Sequence, residues 1–211
     1  MEIRKVGVIG MGQMGRGIAE VCAISEYNII VTDSDLETLN GSKSKIIADL
    51  KKLEKKDKIK SEKIDAAMSR ITICKDFSGF NDCDLIIEAA TENEQIKKKI
   101  FLELKTVIKD TAILATNTSS ISVTRLASGT DKPENFMGLH FMNPVPLMNL
   151  VELVKGIATS QETYQTLENF VIKLGKSSSV SEDFPAFIVN RVLMPMINEA
   201  IHTLNENVSG V

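Results

Sequence analysis

The stretch that most restricts how this chain can fold is a glycine-rich turn near its N-terminus. Gly10, Gly12 and Gly15 form a G-x-G-x-x-G pattern between the apolar run Val6–Ile9 and a segment with helical character, Met14 to Ile24. In this pattern the first glycine permits a tight turn, the second lets a pyrophosphate approach the backbone, and the third lets the helix pack closely on the strand. The context of strand, turn and helix predicts a dinucleotide-binding unit.

An acidic side chain follows at the position where such a unit contacts a ribose. Asp33 ends the second apolar run, which starts at Asn28, and it follows Gly15 by 18 residues. Its carboxylate can accept hydrogen bonds from an adenosine ribose and repels a 2′-phosphate, so NAD is favoured over NADP. A glycine turn without a ligand and an FAD site remain alternatives. The predicted cofactor contacts are Gly10, Met11, Gly12, Gln13, Met14, Gly15 and Asp33.

Strand and helix patterns alternate along the first part of the chain. Further strands are predicted at Ile71–Ile73, Asp84–Glu88 and Ala112–Thr116. Apolar residues at helical spacing predict a long lysine-rich helix around Ile46 and another helix from Asn93 to Ile108. Continuous apolar strands joined by helices are typical of a parallel sheet covered on both faces. We therefore predict an α/β fold with a Rossmann-type, mostly parallel sheet.

The pattern changes after Ser119. Strands are predicted at Phe136–Phe141 and Leu150–Val154, and the connection between them is too short to hold a crossover helix. These two strands are therefore expected to pair antiparallel. A further helix is predicted over roughly Ser160 to Leu174.

The last part of the chain is predicted to start a second domain. From Phe184 onward the chain reads as one helix, with a kink at Pro195 and an apolar face. We place an NAD-binding domain at residues 1–183 and the first helix of an incomplete all-helical domain at residues 184–211. Because its apolar face has little of its own chain to pack against, this helix favours self-association.

Composition excludes several classes of protein. The net charge of −3 and the absence of tryptophan argue against nucleic-acid binding through overall charge or base stacking. Three cysteines and two histidines form no metal-binding pattern, and free thiols fit the reducing cytoplasm. No apolar run approaches the roughly 20 residues needed to cross a bilayer, so no membrane partner is expected.

One of the two histidines lies where it could move a proton. An enzyme that oxidises an alcohol with a nicotinamide needs a base, and histidine titrates closest to neutral pH. His140 ends a predicted strand, where open α/β sheets bind ligands, whereas His202 lies late in the terminal helix. Glu152 interrupts an apolar strand, and the intervening turn can bring it beside His140 to orient the imidazole. A core role for His140 and a solvent-facing Glu152 remain alternatives.

Five motifs together carry a resemblance that covers nearly the whole chain. They are Val8–Gly15, Asn117–Ser120, Gly138–Pro146, Leu150–Glu152 and Phe187–Arg191. In sequence and spacing they resemble the 3-hydroxyacyl-CoA dehydrogenase family, and most closely its bacterial members that act on 3-hydroxybutyryl-CoA.

The resemblance implies a reaction and a role for several residues. NAD would take a hydride from C3 of an L-3-hydroxyacyl-CoA, giving a 3-ketoacyl-CoA. His140 would be the general base, and Glu152 would hold it. Ser119 would hydrogen-bond the reacting oxygen, and Asn190 would help to place that oxygen. The resemblance also implies four residues near the cofactor, namely Glu92, Lys97, Ser119 and Asn143.

A basic run gains a meaning from the resemblance. Between Lys43 and Lys63 there are nine lysines and four acids, which is most often a solvated helix face. A local basic patch would also attract the phosphates of coenzyme A. Lys56 matches a lysine that contacts coenzyme A in the family, whereas Asp49 stands where the family has a serine contact.

This chain departs from the family pattern at three places. Thr116 replaces a serine, and Ala186 replaces a glycine that follows the proline, which would stiffen the domain junction. Family members continue into a C-terminal helical domain that forms a dimer interface, and this chain retains only its first helix. A homodimer through C-terminal helices is therefore expected.

Two other functions compete with the dehydrogenase. Without the rest of the C-terminal domain, the chain could bind NAD and coenzyme A with little or no catalysis. A dehydrogenase of a free hydroxy acid is also compatible with the motifs, although the lysine run argues against it.

Overall fold

The computed structural model describes residues 1–57, 59–208 and 210. Lys58, which belongs to the basic run, lies outside the described residues, as do Ser209 and Val211 of the predicted second domain. In the described part the strands are β1 (Lys5–Ile9), β2 (Asn28–Thr32), β3 (Ile71–Ile73), β4 (Leu85–Glu88), β5 (Ile113–Thr116), β6 (Phe136–Phe141), β7 (Leu150–Lys155) and β8 (Ser177–Glu182).

The helices lie between these strands and after the last one. They are α1 (Gln13–Ile24), α2 (Leu36–Glu54), α3 (Ser61–Ser69), α4 (Glu94–Leu104), α5 (Val123–Ala127), α6 (Gln161–Lys173) and α7 (Val189–Asn205). Within the ranges that the structure describes, none of them has the length and apolar character of a membrane span.

The eight strands form one sheet in the order β3-β2-β1-β4-β5-β6-β7-β8. The strands from β3 to β6 are parallel, β7 pairs antiparallel with β6, and β8 pairs parallel with β7. The predicted Rossmann-type sheet and the antiparallel pair after Ser119 are both confirmed. The register of that pair sets His140 directly opposite Glu152.

Apolar side chains fill both faces of the sheet. One cluster packs α1, α2, α3 and α6 against the sheet through residues such as Ile18, Leu50 and Phe170. The other packs α4 and α5 against the opposite face through residues such as Phe101 and Leu126. The strands are therefore covered on both sides, as their continuous apolar runs predicted.

The sequence pattern predicts no strand at β8. Its residues, Ser177–Glu182, are mostly serines, and such a polar run lacks the apolar pattern that marks a buried strand. Because β8 pairs with β7 along its whole length, β7 is not an edge strand.

The prediction of a helix from Phe184 onward is wrong at its start. The helix α7 begins at Val189, and a turn precedes it. In this turn Ala186 and Phe187 have φ angles of +69° and +51°, a left-handed conformation that no α-helix contains. The predicted apolar face of α7 is exposed, for example at Val192 and Ile201. The division into domains at residue 184 stays a prediction.

Asp183 fixes the chain where it leaves the sheet. Its carboxylate accepts hydrogen bonds from Ser122 Oγ at 2.6 Å, Thr124 N at 2.8 Å and Val123 N at 3.0 Å. These donors belong to the first turn of α5. Burial disfavours the charged form, but these hydrogen bonds, with Ser122 first, outweigh it and lower the pKa of Asp183 below its usual value.

We expect Asp183→Asn to destabilise the protein by about 1–2 kcal/mol at pH 7, since charged acceptors make the stronger hydrogen bonds. A carboxylate whose pKa is lowered by folding stabilises the protein above its unfolded pKa, and this contribution is lost as the pH falls through the folded pKa. The difference in the free energy of unfolding, measured by urea titration, should therefore shrink below about pH 4. Equal unfolding curves for both proteins at pH 7 would contradict this role.

Candidate active site

The glycine turn between β1 and α1 has no room for side chains at two positions. Gly10 has a φ of +90°, and a Cβ on it would lie 2.7 Å from the carbonyl oxygen of Ala89. A Cβ on Gly15 would lie 1.7 Å from the carbonyl oxygen of Gly10. A Cβ on Gly12, by contrast, would meet no atom of the described residues within 4 Å. The turn is thus tight on the protein side and open where a pyrophosphate would approach.

The open side of the turn faces a cavity of about 820 Å³. Gly12 is the N-cap of α1, and among the described residues no side chain caps this helix end. Its free N–H groups and partial positive charge suit a phosphate. Gly10, Gly12, Gln13, Met14 and Asp33 contribute to the cavity wall.

Asp33 is held in place by the glycine turn itself. Its Oδ2 accepts the N–H of Met11 at 2.6 Å, and its Oδ1 accepts the N–H of Asp35 at 2.9 Å. The side chain of Met11 is buried, so this residue acts through its backbone. Each carboxylate oxygen keeps a lone pair for a ribose hydroxyl. The cavity, the free helix end and the fixed carboxylate therefore fit NAD.

A buried ion pair lies beside the cofactor cavity. Lys97 is 1% exposed, and its Nζ contacts both carboxylate oxygens of Glu88 at 2.7 and 2.8 Å. Glu88 also accepts the hydroxyl of Thr116 at 2.7 Å. The sequence pattern places Glu88 at the end of a predicted strand and assigns it no role. An acidic residue closing an apolar strand was the available signal, since such a residue needs a partner when buried.

Glu92 connects this pair to the next loop. It lies 3.5 Å from Lys97 Nζ and accepts the N–H groups of Ser119 at 2.9 Å and Ser120 at 3.1 Å. Burial disfavours its charge, but the hydrogen bond from Thr118 and the charge of Lys97 outweigh burial and lower the pKa of Glu92. Glu92 therefore stays ionised and fixes the loop that carries Ser119.

His140 lies at the centre of a line of three side chains. Its Nδ1 is 2.7 Å from Glu152 Oε2, and its Nε2 is 3.0 Å from Ser119 Oγ. His140 is 5% exposed and Glu152 is 0% exposed, so the alternative of a solvent-facing carboxylate is excluded. The arrangement of a hydroxyl, an imidazole and a carboxylate can transfer a proton at Nε2.

The second oxygen of Glu152 contacts the start of α7. Oε1 accepts the N–H of Val189 at 2.8 Å and that of Ile188 at 3.0 Å. Burial disfavours the charge of Glu152, but the hydrogen bonds from His140, Val189 and Ile188 outweigh it and lower the pKa of this carboxyl. An ionised Glu152 accepts the proton of Nδ1, which leaves the lone pair of the neutral imidazole on Nε2.

Other predicted site residues lie outside this line. Asn190 is the second residue of α7 and partly buried, and among the described residues it makes no hydrogen bond to His140 or Ser119. Asn143 is exposed after β6, and with Lys56 and Gln13 it lines a second cavity of about 350 Å³. His202 is exposed on α7, which fits its interpretation as a surface residue.

We expect Lys97→Met to destabilise the protein by about 3–5 kcal/mol, because it leaves the buried carboxylate of Glu88 without its cation. The double variant Lys97→Met with Glu88→Gln should regain part of this loss in urea unfolding. Lys98→Met, one residue along the same helix and partly exposed, is the matched control and should change stability by less than about 0.5 kcal/mol. If Lys97→Met were as stable as that control, the ion pair of Lys97 and Glu88 would not contribute to the stability of the fold.

Comparisons with known proteins identify the family. Residues 5–184 match the family described as "3-hydroxyacyl-CoA dehydrogenase, NAD binding domain". A 3-hydroxybutyryl-CoA dehydrogenase of Bradyrhizobium diazoefficiens is 53% identical over 209 residues, which are 99% of this chain and 71% of that protein. A probable 3-hydroxybutyryl-CoA dehydrogenase of Bacillus subtilis is 38% identical, and the alignment covers 73% of its length.

A solved structure shows the same architecture. The crystal structure of (S)-3-hydroxybutyryl-CoA dehydrogenase from Ralstonia eutropha superimposes with a TM-score of 0.95 at 39% identity. The superposition covers 99% of this chain and 74% of that one. On the family match and these identities, the chain belongs to the 3-hydroxyacyl-CoA dehydrogenase family.

Proposed function

We propose that this protein catalyses the reversible, NAD-dependent oxidation of an L-3-hydroxyacyl-CoA, with 3-hydroxybutyryl-CoA as the substrate. The observation that carries the proposal is the line of Ser119, His140 and Glu152 at the carboxyl end of β6. Membership of the family and the fit of the first cavity to NAD support the cofactor. The relatives named as 3-hydroxybutyryl-CoA dehydrogenases support the substrate.

His140 is the proposed general base. Its Nε2 takes the proton of the substrate hydroxyl, and the imidazolium that forms keeps its Nδ1–H on the ionised Glu152. The buried carboxylate stabilises this cation and prevents the ring from turning. In the reverse direction the imidazolium returns the proton to the keto oxygen. Bound NAD supplies the hydride acceptor.

Ser119 and Asn190 are the proposed contacts of the reacting oxygen. The Ser119 hydroxyl lies 3.0 Å from Nε2, and Glu92 holds the backbone of the same residue. A substrate oxygen that lies to one side of these two atoms, at hydrogen-bond distance from each, reaches both groups. Asn190 follows Val189, whose N–H contacts Glu152, and this places Asn190 at the start of α7, next to the pair. Lys97 keeps its proposed place near the cofactor by acting through Glu88 and Glu92. Asn143 keeps its proposed place because it lines the second cavity together with Gln13, which also lines the first.

The second cavity is the proposed place for coenzyme A. Arg16, Lys52 and Lys56 lie along its wall and bring positive charge to a site for phosphates. Asp49 and Glu20 lie on the same wall, and Asp49 pairs with Lys52 at 2.7 Å, so the two acids offset part of that charge and leave one basic side chain in excess. The acyl-CoA thioester is therefore favoured over the free hydroxy acid.

A homodimer and a cytoplasmic location complete the proposal. The exposed apolar side chains of α7, such as Met196 and Ile197, would be covered by another copy of the helix. The three cysteines, Cys22, Cys74 and Cys83, are free thiols, which the reducing cytoplasm would preserve.

We expect the protein to oxidise NADH in the presence of acetoacetyl-CoA. The substitution His140→Ala should lower kcat by about 10²–10⁴-fold, which is the usual contribution of a general base. The matched control is His202→Ala, which removes the other histidine and should leave kcat unchanged. The measurement is the steady-state decrease of NADH absorbance.

Three results would contradict the proposal, two from this assay and one from the assay together with a measurement of NAD binding. Full activity of His140→Ala would remove the general base. Equal rates with free acetoacetate and with acetoacetyl-CoA would point to a free hydroxy acid as the substrate. Tight NAD binding without turnover at any protein concentration would favour a binding module over an enzyme.

A further inference from the structure

The turn before α7 holds two adjacent residues in a conformation that side chains disfavour. Ala186 and Phe187 have φ angles of +69° and +51°. In this left-handed region the Cβ atom comes close to the following carbonyl oxygen, and residues other than glycine, asparagine and aspartate rarely occupy it. The chain is fixed on both sides of this turn. Before the turn, Asp183 accepts a hydrogen bond from the N–H of Thr124 in α5, and after it, the N–H of Val189 donates to Glu152. The surrounding contacts therefore impose the conformation.

The backbone that leaves this turn contacts Glu152. The N–H groups of Ile188 and Val189 both point to Oε1, at 3.0 and 2.8 Å. Among the described residues no side chain of the helix's own N-cap satisfies this end of α7. The carboxylate of Glu152 takes the place of such a cap and meets the positive end of a 17-residue helix.

The side chain in the middle of the turn contacts the histidine. Phe187 is 4% exposed, and its ring centroid lies 5.7 Å from that of His140, with the planes inclined by 64°. An edge-on aromatic contact of this kind favours one orientation of the imidazole. Because both groups are buried, the ring of Phe187 restricts the space that is open to the imidazole.

We propose that Phe187 and the left-handed turn at Ala186 are positioning elements of the His140–Glu152 pair. Phe187 confines the imidazole, and the turn directs two N–H groups of α7 onto the oxygen of Glu152 that His140 does not use. Phe187 acts through the imidazole ring, and the turn acts through the second oxygen of Glu152. The inference rests on the proposed function only where activity is the readout.

Two substitutions of Ala186 distinguish the effect of the turn's backbone conformation from the effect of changing the side chain. Glycine adopts positive φ angles freely, so Ala186→Gly should keep the turn. Valine is β-branched and strongly disfavours them, so Ala186→Val should displace the N–H groups from Glu152. We expect Ala186→Gly to keep kcat within about twofold, and Ala186→Val to lower kcat by about tenfold or more with an unchanged KM for NADH, as for lost transition-state stabilisation.

A spectroscopic readout tests the position of the ring without the reaction. The chain has only two histidines, so ¹⁵N-histidine labelling gives one ring at the site and one exposed reference, His202. The Nδ1–H resonance of His140 should be sharp and slow to exchange in the wild type and in Ala186→Gly. It should broaden or vanish in Ala186→Val, while the His202 signals stay unchanged.

Phe187→Leu keeps an apolar side chain and removes the flat ring. We expect this variant to fold, as judged by circular dichroism. It should lower kcat by about fivefold, as for a group that only orients the base, and it should broaden the same Nδ1–H resonance. If Ala186→Val failed to fold, this variant would decide. A folded Phe187→Leu with the wild-type resonance and kcat would overturn the proposal. A wild type with a sharp resonance but no turnover would instead refute the proposed function alone.

Discussion

The site depends on one buried carboxylate that makes two kinds of contact. One carboxylate oxygen of Glu152 contacts the imidazole of His140, and the other accepts two backbone N–H groups at the start of α7. A fully buried carboxylate is costly unless its charge is matched by hydrogen bonds, and here three donors surround it. The same carboxylate therefore stabilises this part of the fold and orients the base.

The sheet topology brings this pair to the cofactor loop. Sequential strands run outward from β1 to β3, and the chain then returns to β4 on the other side of β1. Open α/β sheets bind their ligands at this point of reversal, beyond the carboxyl ends of the strands. Glu88, Lys97 and Glu92 form a charged bridge from β4 to the loop that carries Ser119. The cofactor cavity and the proton-transfer line thus lie along the same edge of the sheet.

Much of this was predictable because local patterns report it. The glycine turn and Asp33 predicted the cofactor loop, and the short connection after β6 predicted the antiparallel pair that sets His140 opposite Glu152. The glutamate inside an apolar strand gave its own signal, since a buried charge needs a partner.

Other features leave no such local signal. The serine-rich strand β8 forms because β7 offers a free edge, and pairing with that edge is a tertiary contact. The turn at Ala186 and Phe187 contradicts local preference, and contacts remote in sequence help to hold it. Phe187 is buried against His140, and the backbone that follows it donates to Glu152. The partner of Glu88 could not be read from the strand alone, because Lys97 lies on the following helix.

The most direct test is a crystal structure of the protein with NAD⁺ and acetoacetyl-CoA bound together. It should show the keto oxygen of the substrate within hydrogen-bonding distance of both His140 Nε2 and Ser119 Oγ, with Glu152 still bridging the imidazole and the start of α7. A substrate whose keto oxygen lies out of reach of the imidazole, or a His140 ring turned away from Glu152, would contradict the proposed chemistry.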